Sequence, residues 1–471
     1  MTKLRRHQRI LYDFALDKPA SLCAGGMGTG KSCVAIKLAD AWKAKKILLL
    51  CPTTVRPVWR REIPKHSERN VLACILDRGT IKKRTERAEE AFRSRKPVWI
   101  VINYEAAWRE PFREWCLSRQ WDLVVLDESH RCHGMSRTAL FCNDLRERSG
   151  RRLCLSGTPL TKDPISVWAQ CRFLDPNVFT HSLKWFRYCF ENQYAVACRK
   201  ALARFNKSLR YFIPDAEPWT FPEESMEGTI NTEWYLEELG KLAVRVESDV
   251  LDLPPISFQT RVFHLSSTAR GIYEAVKGGH SYELETGLWP DIRGSYSITM
   301  RLQQITSGWL EDRAGTILPV DRGKARCLED ILRDAGEPVV VFCRFIRDMD
   351  ICRDICDKLG LRYGEISQRR KDGLDDMGTM PEWCEVVGVQ EQAGGAGIDL
   401  TRARIGVDYS PSWVLPNYDQ KVARLYRPPQ DRPVVIYQLI AEDTIDEEIH
   451  RALEARRQII RRVWSGLAAV S

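Results

Sequence analysis

The sequence predicts an α/β protein: two parallel-sheet lobes, a helical insertion between them and a charged helix at the C-terminus. Three observations carry that prediction. In the first third, the short apolar runs Ile47–Cys51, Val98–Ile102, Leu123–Leu126 and Leu153–Leu155 alternate with helix-forming stretches. Runs apolar throughout, rather than at every second position, belong to strands covered on both faces, as in parallel sheets. Second, the glycine-rich turn A-G-G-M-G-T-G-K-S, from Ala24 to Ser32, leads into a helix-forming stretch at Val34–Trp42. Third, a new strand and helix alternation begins beyond Leu253-Pro254-Pro255, which reads as a stiff linker. The expected divisions are residues 1–175, 176–252, 253–443 and 444–471.

A chain of 471 residues with 44% hydrophobic and 29% charged content is long enough for two or three domains with large cores. A net charge of +9 permits a polyanionic partner without requiring one. The sixteen cysteines form no C-x-x-C pair, and Cys51, Cys154 and Cys343 sit in apolar runs as small hydrophobes. That usage fits free thiols in a reducing cytosol. His130, Cys132, His133 and Cys142 match no standard zinc template, and Cys352 and Cys356 share one helix face. Met1 to Arg9 is basic and polar, and no apolar run reaches membrane-spanning length. A cytoplasmic protein outside the membrane is expected.

Taken in order, each strand of the first lobe ends in residues loaded with chemistry: Pro52-Thr53-Thr54, Asn103-Tyr104-Glu105, Asp127-Glu128 and Ser156-Gly157-Thr158. In parallel sheets ligands bind where strands end. From Leu174 to about Asp252 aromatic residues crowd together at Trp185, Phe186, Tyr188 and Phe190. They read as core rather than as base-stacking platforms. Helical periodicity there brings Arg199, Lys200, Arg204, Lys207 and Arg210 together. A phosphate-touching face and a plain solvated helix explain those charges equally. In the second lobe, strands are expected near Gln259–Leu265, Val339–Cys343, Val386–Val389, Ile405–Asp408 and Val434–Ile440. Helices are expected at Lys324–Asp334, Asp348–Leu359 and, closing the chain, Thr444–Trp464.

The turn fits the phosphate-loop pattern through Gly25, Gly30, Lys31 and Ser32, with Gly26, Met27, Gly28 and Thr29 between. Its glycines let successive N–H groups converge on phosphate oxygens, and the following helix adds its dipole. Lys31 is placed to neutralise the β- and γ-phosphates, and the Ser32 hydroxyl to hold Mg²⁺. The run Val124–Leu126 delivers two adjacent carboxylates, Asp127 for the metal and Glu128 as general base. Ser156-Gly157-Thr158-Pro159 reads as a hydroxyl relay or as a plain turn. Far downstream, Gln420, Arg424 and Arg427 lie on the helical stretch Tyr418–Tyr426. Inserted guanidiniums stabilise a transferring phosphoryl group, although paired arginines on a helix are more often a solvated face. Between Gln390 and Thr401, Gly394, Gly395 and Gly397 follow a strand and allow close approach to phosphates.

The order and spacing of these elements resemble the helicase-like ATPases of superfamily two. The chain looks most like SWI/SNF-type DNA translocases, particularly the annealing-helicase branch and compact phage or bacterial versions. The resemblance runs from Leu4 to about Glu448. It implies that Leu4-Arg5-Arg6-His7-Gln8 reads adenine through Gln8. Cys51–Thr54 with Trp59 looks like motif Ia and Ile102–Glu105 like motif Ib, which implies nucleic-acid contacts from Thr53, Thr54, Asn103 and Tyr104. Asp127–His130 is similar to motif two, and Ser156–Leu160 to motif three. Val339–Phe345 resembles motif four, which makes Arg344 a nucleic-acid candidate. The glycine loop resembles motif five, with Gly397 at the nucleotide and Thr401 toward nucleic acid. Asp419–Gln430, D-Q-K-V-A-R-L-Y-R-P-P-Q, resembles motif six and makes Arg424 and Arg427 arginine-finger candidates. Departures are Tyr426 and Pro428-Pro429, where many relatives carry His and Ile-Gly, and a short segment from Gly364 to Met380.

The resemblance implies two RecA-like lobes with ATP and Mg²⁺ in the cleft between them. It implies a monomeric motor on double-stranded or branched DNA, in a bacterial or phage-infected cell. No chromatin-reading or zinc domain is recognisable, so targeting is expected from a protein partner or from the DNA structure. Two other readings stay open. One is a strand-separating DNA or RNA helicase. The other is a nucleotide-gated binding module without productive turnover.

Overall fold

In the computed structural model the apolar runs of the first half pair side by side, all in parallel. The structure describes residues 3–26, 28–160, 164–179, 182–190, 232–246, 251–278, 295–311, 315–376, 378–391, 398–412 and 415–470. Two units emerge, one around Met1–Leu251 and one around Asp252–Gly394 with Ile398–Ala455.

The first unit has a seven-stranded sheet: β1 (Ala20–Gly25), β2 (Lys46–Cys51), β3 (Leu72–Ile75), β4 (Val98–Asn103), β5 (Trp121–Asp127), β6 (Ser149–Ser156) and β7 (Ala243–Val246). Their order is β3-β4-β2-β5-β6-β1-β7. Alternate side chains of each strand enter cores on opposite faces. Leu48, Leu50, Val124 and Leu126 pack on one side. Ile47, Leu49, Leu123 and Val125 pack on the other. This two-sided burial is why the runs are apolar without alternation. Each buried Leu or Ile contributes about 1.5–3 kcal/mol.

The second unit has six parallel strands: β8 (Ile256–Phe263), β11 (Val339–Cys343), β12 (Tyr363–Ile366), β13 (Val386–Gln390), β14 (Ile405–Asp408) and β15 (Val434–Ala441). The order is β12-β13-β11-β14-β15-β8. A small antiparallel pair, β9 (Trp309–Glu311) and β10 (Ile317–Pro319), stands apart from that sheet. The helix Ile445–Val470 closes the chain. Its first turn is anchored by Asp446, which pairs with Lys324 at 2.7 Å with both side chains 1% exposed. Thr306 donates to the other carboxylate oxygen at 2.9 Å.

The stretch expected to be helical between the lobes carries helices at Leu183–Phe190 and Thr232–Leu242. It then ends in β7, which pairs with β1 and extends the first sheet. Ala-Val-Arg-Val is too short to announce itself as a strand, and pairing with β1 decides its state. Phe186 and Tyr235 are fully buried against Phe179, with ring centroids 4.8 Å and 5.7 Å from it. Arg199, Lys200, Arg204, Lys207 and Arg210 lie outside the described residues, as do the side chains of Tyr188 and Phe190. β3 and β12 also had no expected strand; both are only four residues long, and three of the four residues of β3 are not buried. Among the described residues no helix is long and apolar enough to cross a membrane.

Candidate active site

Strand register gathers the site of the first unit. Ala24 pairs with Ser156, and Leu155 pairs with Asp127, so β1, β6 and β5 all end at one edge of the sheet. From Gly25 the chain turns into α2 (Lys31–Ala41) through Gly28 and Gly30, at φ 79° and 77°. Those left-handed conformations are open to glycine at little cost. A Cβ on Gly30 would also run into the Gln8 amide. The Thr29 hydroxyl donates to Gly26 O at 2.7 Å and closes the turn. Behind it, α1 (Arg6–Leu16) presents Gln8, whose Nε2 donates to Thr29 O at 3.0 Å. His7 Nε2 stands 3.1 Å from the same oxygen, and Gln8 Oε1 accepts from Arg5 N at 2.9 Å. Both ends of the amide expected on adenine therefore hold the loop and the helix start. Met27 lies outside the described residues.

Lys31 folds back into the turn, and its ammonium donates to Gly25 O at 2.7 Å and Gly26 O at 3.2 Å. Burial lowers its pKa, and Glu128 and Asp127 act against that shift. The lysine and both carboxylates thus share one electrostatic environment. Ser32, the second residue of α2, is half-buried.

At the end of β5, Asp127 Oδ2 accepts from the Trp59 indole N–H at 2.7 Å, and Oδ1 accepts from Glu128 N at 3.1 Å. Tyr104 donates its hydroxyl to Asp127 O at 2.8 Å. Glu128 takes φ 51°, unusual for a side-chain-bearing residue. Glu128 Oε2 lies 3.4 Å from His130 Nδ1, which lies 3.1 Å from Ser156 Oγ. Burial, then the Glu128 charge, pushes the Asp127 carboxyl up to about 6. Burial also pushes Glu128 up, but His130, Lys31 and Arg131 together outweigh it and hold Glu128 below its ordinary value. Environments that separate two neighbouring carboxylates assign them different roles.

The donor set fits a hydrated magnesium ion. Asp127 carries a buried negative charge that a cation would relieve. Glu128 Oε2 and Thr158 Oγ1 are buried without a hydrogen-bond partner. Ser32 and Asp127 are the residues that would hold the ion. Cys132, His130 and His133 instead bond to Ala169 O, Ser156 and Arg131 O, and no metal-binding group of His, Cys, Asp and Glu forms among the described residues.

The nucleic-acid candidates fall in different settings. Thr53 and Thr54 are exposed, on a 3-10 turn after β2. Asn103 is buried, with its oxygen 3.4 Å from Arg56 and Arg84 and its amide on Glu105 at 2.9 Å. Tyr104 is 2% exposed and serves the carboxylate strand from inside the core, rather than presenting a surface contact. In the second unit, Arg344 reaches Gln303 and lies over Phe345, and Thr401 donates to Asp399 at 2.7 Å. Arg427 pairs with Asp399 at 3.1 Å. Arg424, on the helix Leu415–Leu425, is 6% exposed, and its Nη1 has no hydrogen-bond partner. Burial and then Arg427 push its pKa down to about 10. Gly394, Gly395 and Gly397 lie outside the described residues.

Three contacts escape sequence reasoning: Trp59 on Asp127, His130 on Ser156, and Lys421 between Glu391 and Asp408. Each joins residues far apart in the chain, and no local pattern marks such a pair.

Comparison with known proteins places these elements. The SNF2-related domain matches residues 9–307, and the helicase conserved C-terminal domain matches residues 323–429. The chain is 24% identical to the mouse SWI/SNF-related matrix-associated actin-dependent regulator of chromatin subfamily A member 1, over 72% of this chain and 31% of that protein. It is 24% identical to the yeast ISWI chromatin-remodeling complex ATPase ISW1, over 94% of this chain and 38% of that protein. It is 25% identical to the zebrafish Chromodomain-helicase-DNA-binding protein 1-like, over 90% of this chain and 40% of that protein. The chain thus spans less than half the length of these relatives. Among solved structures, the Sulfolobus solfataricus SWI2/SNF2 ATPase core in complex with dsDNA aligns over 97% of this chain and 92% of its own. That alignment has 19% identity and a TM-score of 0.42.

Proposed function

The chain belongs to the SNF2-related family, and we propose that it is an ATP-driven DNA translocase, a nucleic-acid-stimulated ATPase. The observation that carries the reading is one strand-end constellation. Lys31 sits inside a glycine turn, coupled electrostatically to two carboxylates whose environments drive them apart. An ammonium held only by loop carbonyls, a carboxylate in need of a cation and a second carboxylate kept ionised are the parts phosphoryl transfer to water requires. Membership of the SNF2-related family supports the coupling to DNA.

In this reading Lys31 exchanges Gly25 O and Gly26 O for β- and γ-phosphate oxygens. Glu128 accepts the proton of the attacking water, and His130, 3.4 Å from its Oε2, steadies its charge. Arg427 leaves Asp399, and Arg424 uses its unpartnered N–H, to neutralise charge on the transferring phosphoryl group. Ser32 and Asp127 would hold magnesium, which would supply Lewis-acid neutralisation of the phosphates. Exposed Thr53 and Thr54 grip the nucleic-acid backbone, a contact that carries little sequence preference. We further propose a monomeric motor on double-stranded or branched DNA, recruited by a protein partner or by the DNA structure.

The test is the steady-state ATPase rate without nucleic acid and with duplex, single-stranded, forked DNA or RNA. Strong stimulation by duplex, reduced about 10²–10⁴-fold in Glu128→Gln, is the expected result. Stimulation by single strands or RNA alone points to a strand-separating helicase. Nucleotide binding without turnover in any mixture overturns the motor in favour of a gated binding module.

A further inference from the structure

One buried charge cluster has no part in the chemistry above. Lys421 is 2% exposed, on the helix that carries Arg424, and its ammonium bridges Glu391 at 2.9 Å and Asp408 at 2.6 Å. The two carboxylates are 2% and 0% exposed. Asp408 ends β14 and Glu391 directly follows β13, so the lysine ties its helix to two strand ends. The rings of Tyr418 and Phe342 lie 4.4 Å and 5.6 Å from the ammonium. Burial lowers the lysine pKa, but the two carboxylates outweigh it and hold the ammonium above its ordinary value.

Arg424 follows Lys421 by one helical turn, on the same face. It too is buried, and it feels the charge of Glu391, yet its Nη1 bonds to nothing. A buried guanidinium beside a carboxylate ordinarily closes onto it in a charge-assisted bond. Here Glu391 Oε1 is already taken, by Lys421 and by the Ser412 N–H at 3.2 Å.

We propose that Lys421 is a positioning residue, which occupies Glu391 and Asp408 and so keeps Arg424 unpaired for the phosphate of bound nucleotide. The inference rests on the proposed ATPase, with Arg424 as a phosphate-neutralising group. Without Lys421, Glu391 captures Arg424 and the guanidinium is lost to catalysis.

The test compares wild type, Lys421→Met, and the double variants Lys421→Met/Glu391→Gln and Lys421→Met/Asp408→Asn. Each double variant removes one positive and one negative charge, so a cluster that serves stability alone makes the two equivalent. Positioning does not, because only Glu391→Gln removes the carboxylate that competes for Arg424. At saturating duplex DNA, Lys421→Met should lose kcat at least tenfold, with KM for ATP within about threefold of wild type. The Glu391→Gln double variant should recover to within about threefold of wild-type kcat, and the Asp408→Asn double variant should stay low. Equal kcat in the two doubles, or wild-type kcat in Lys421→Met, overturns the proposal. Should Lys421→Met fail to fold, the comparison of the doubles still decides. Glu128→Gln in the same assay separates the two levels: turnover that survives it removes Glu128 as the base and leaves the comparison of the Lys421 variants to decide this proposal. For an enzyme that does not turn over, the ratio of ADP–beryllium fluoride to ADP affinity reports on Arg424 directly. It should be ordered as kcat is above, and equal ratios across the set overturn the proposal.

Discussion

Trp59 shows how much one side chain can settle. Its ring stacks on Trp99, with centroids 6.0 Å apart, and its N–H holds one oxygen of Asp127. The other oxygen keeps only a weaker bond from the next backbone N–H. Trp59→Phe retains the stacking and deletes the donor. A hydrogen bond to a charged group is worth roughly 1.5–3 kcal/mol, and about 1.4 kcal/mol is a factor of ten in rate. The variant should therefore lose about tenfold or more in kcat/KM and need more magnesium for half-maximal rate. Titrating the ATPase against MgCl₂ checks this, with the quenching of intrinsic fluorescence by nucleotide as a second readout. An unchanged magnesium requirement would mean that Trp59 only packs.

At the scale of elements, the second unit is held by buried polar junctions between helices and strand ends. Lys324 and Asp446 join the helix Gly323–Asp334 to the start of the C-terminal helix. Removing one partner of such a pair typically costs about 3–5 kcal/mol, because the remaining charge stays buried. Lys324→Met should lower the urea midpoint of the second unit by a corresponding amount, and Lys324→Met/Asp446→Asn should regain much of it. Asp348 is a second junction, accepting from Trp309 at 2.8 Å and Ser410 at 2.5 Å. Burial pushes its carboxyl up from 3.8 to about 6. The folded state then binds more protons than the unfolded state between those values. Its contribution to stability is fullest below pH 3.8 and is lost as pH rises through 6. The loss amounts to roughly 3 kcal/mol. Asp348→Asn should flatten the fall in unfolding free energy between acid and neutral pH, as read by denaturant titration across that range.

For the whole molecule, a net charge of +9 and the exposed Thr53 and Thr54 after β2 fit the proposed grip on a nucleic-acid backbone. The logarithm of duplex affinity should fall linearly with the logarithm of salt, by about 0.9 per phosphate neutralised. Fluorescence anisotropy on duplexes of unrelated sequence should give the same slope and, at fixed salt, the same affinity for each. An affinity that depended on sequence would show base contacts that this reading excludes.

The phosphate loop, the carboxylate pair and the parallel-sheet architecture were legible in the amino-acid sequence. Lys31, Ser32, Asp127 and Glu128 stand in contiguous patterns, and uninterrupted apolar runs report two-sided burial over a few residues. Tertiary structure alone decided what each functional group leans on. Ala243–Val246 became a strand because β1 offers it an edge. Tyr104 turned inward to Asp127, Gln8 spent its amide on the loop, and Lys421 was drawn between two strand ends. The physical reason is range. Periodicity and spacing encode covalent neighbours, whereas a buried hydrogen bond or ion pair joins whatever partner the packing of distant segments brings within about 3 Å.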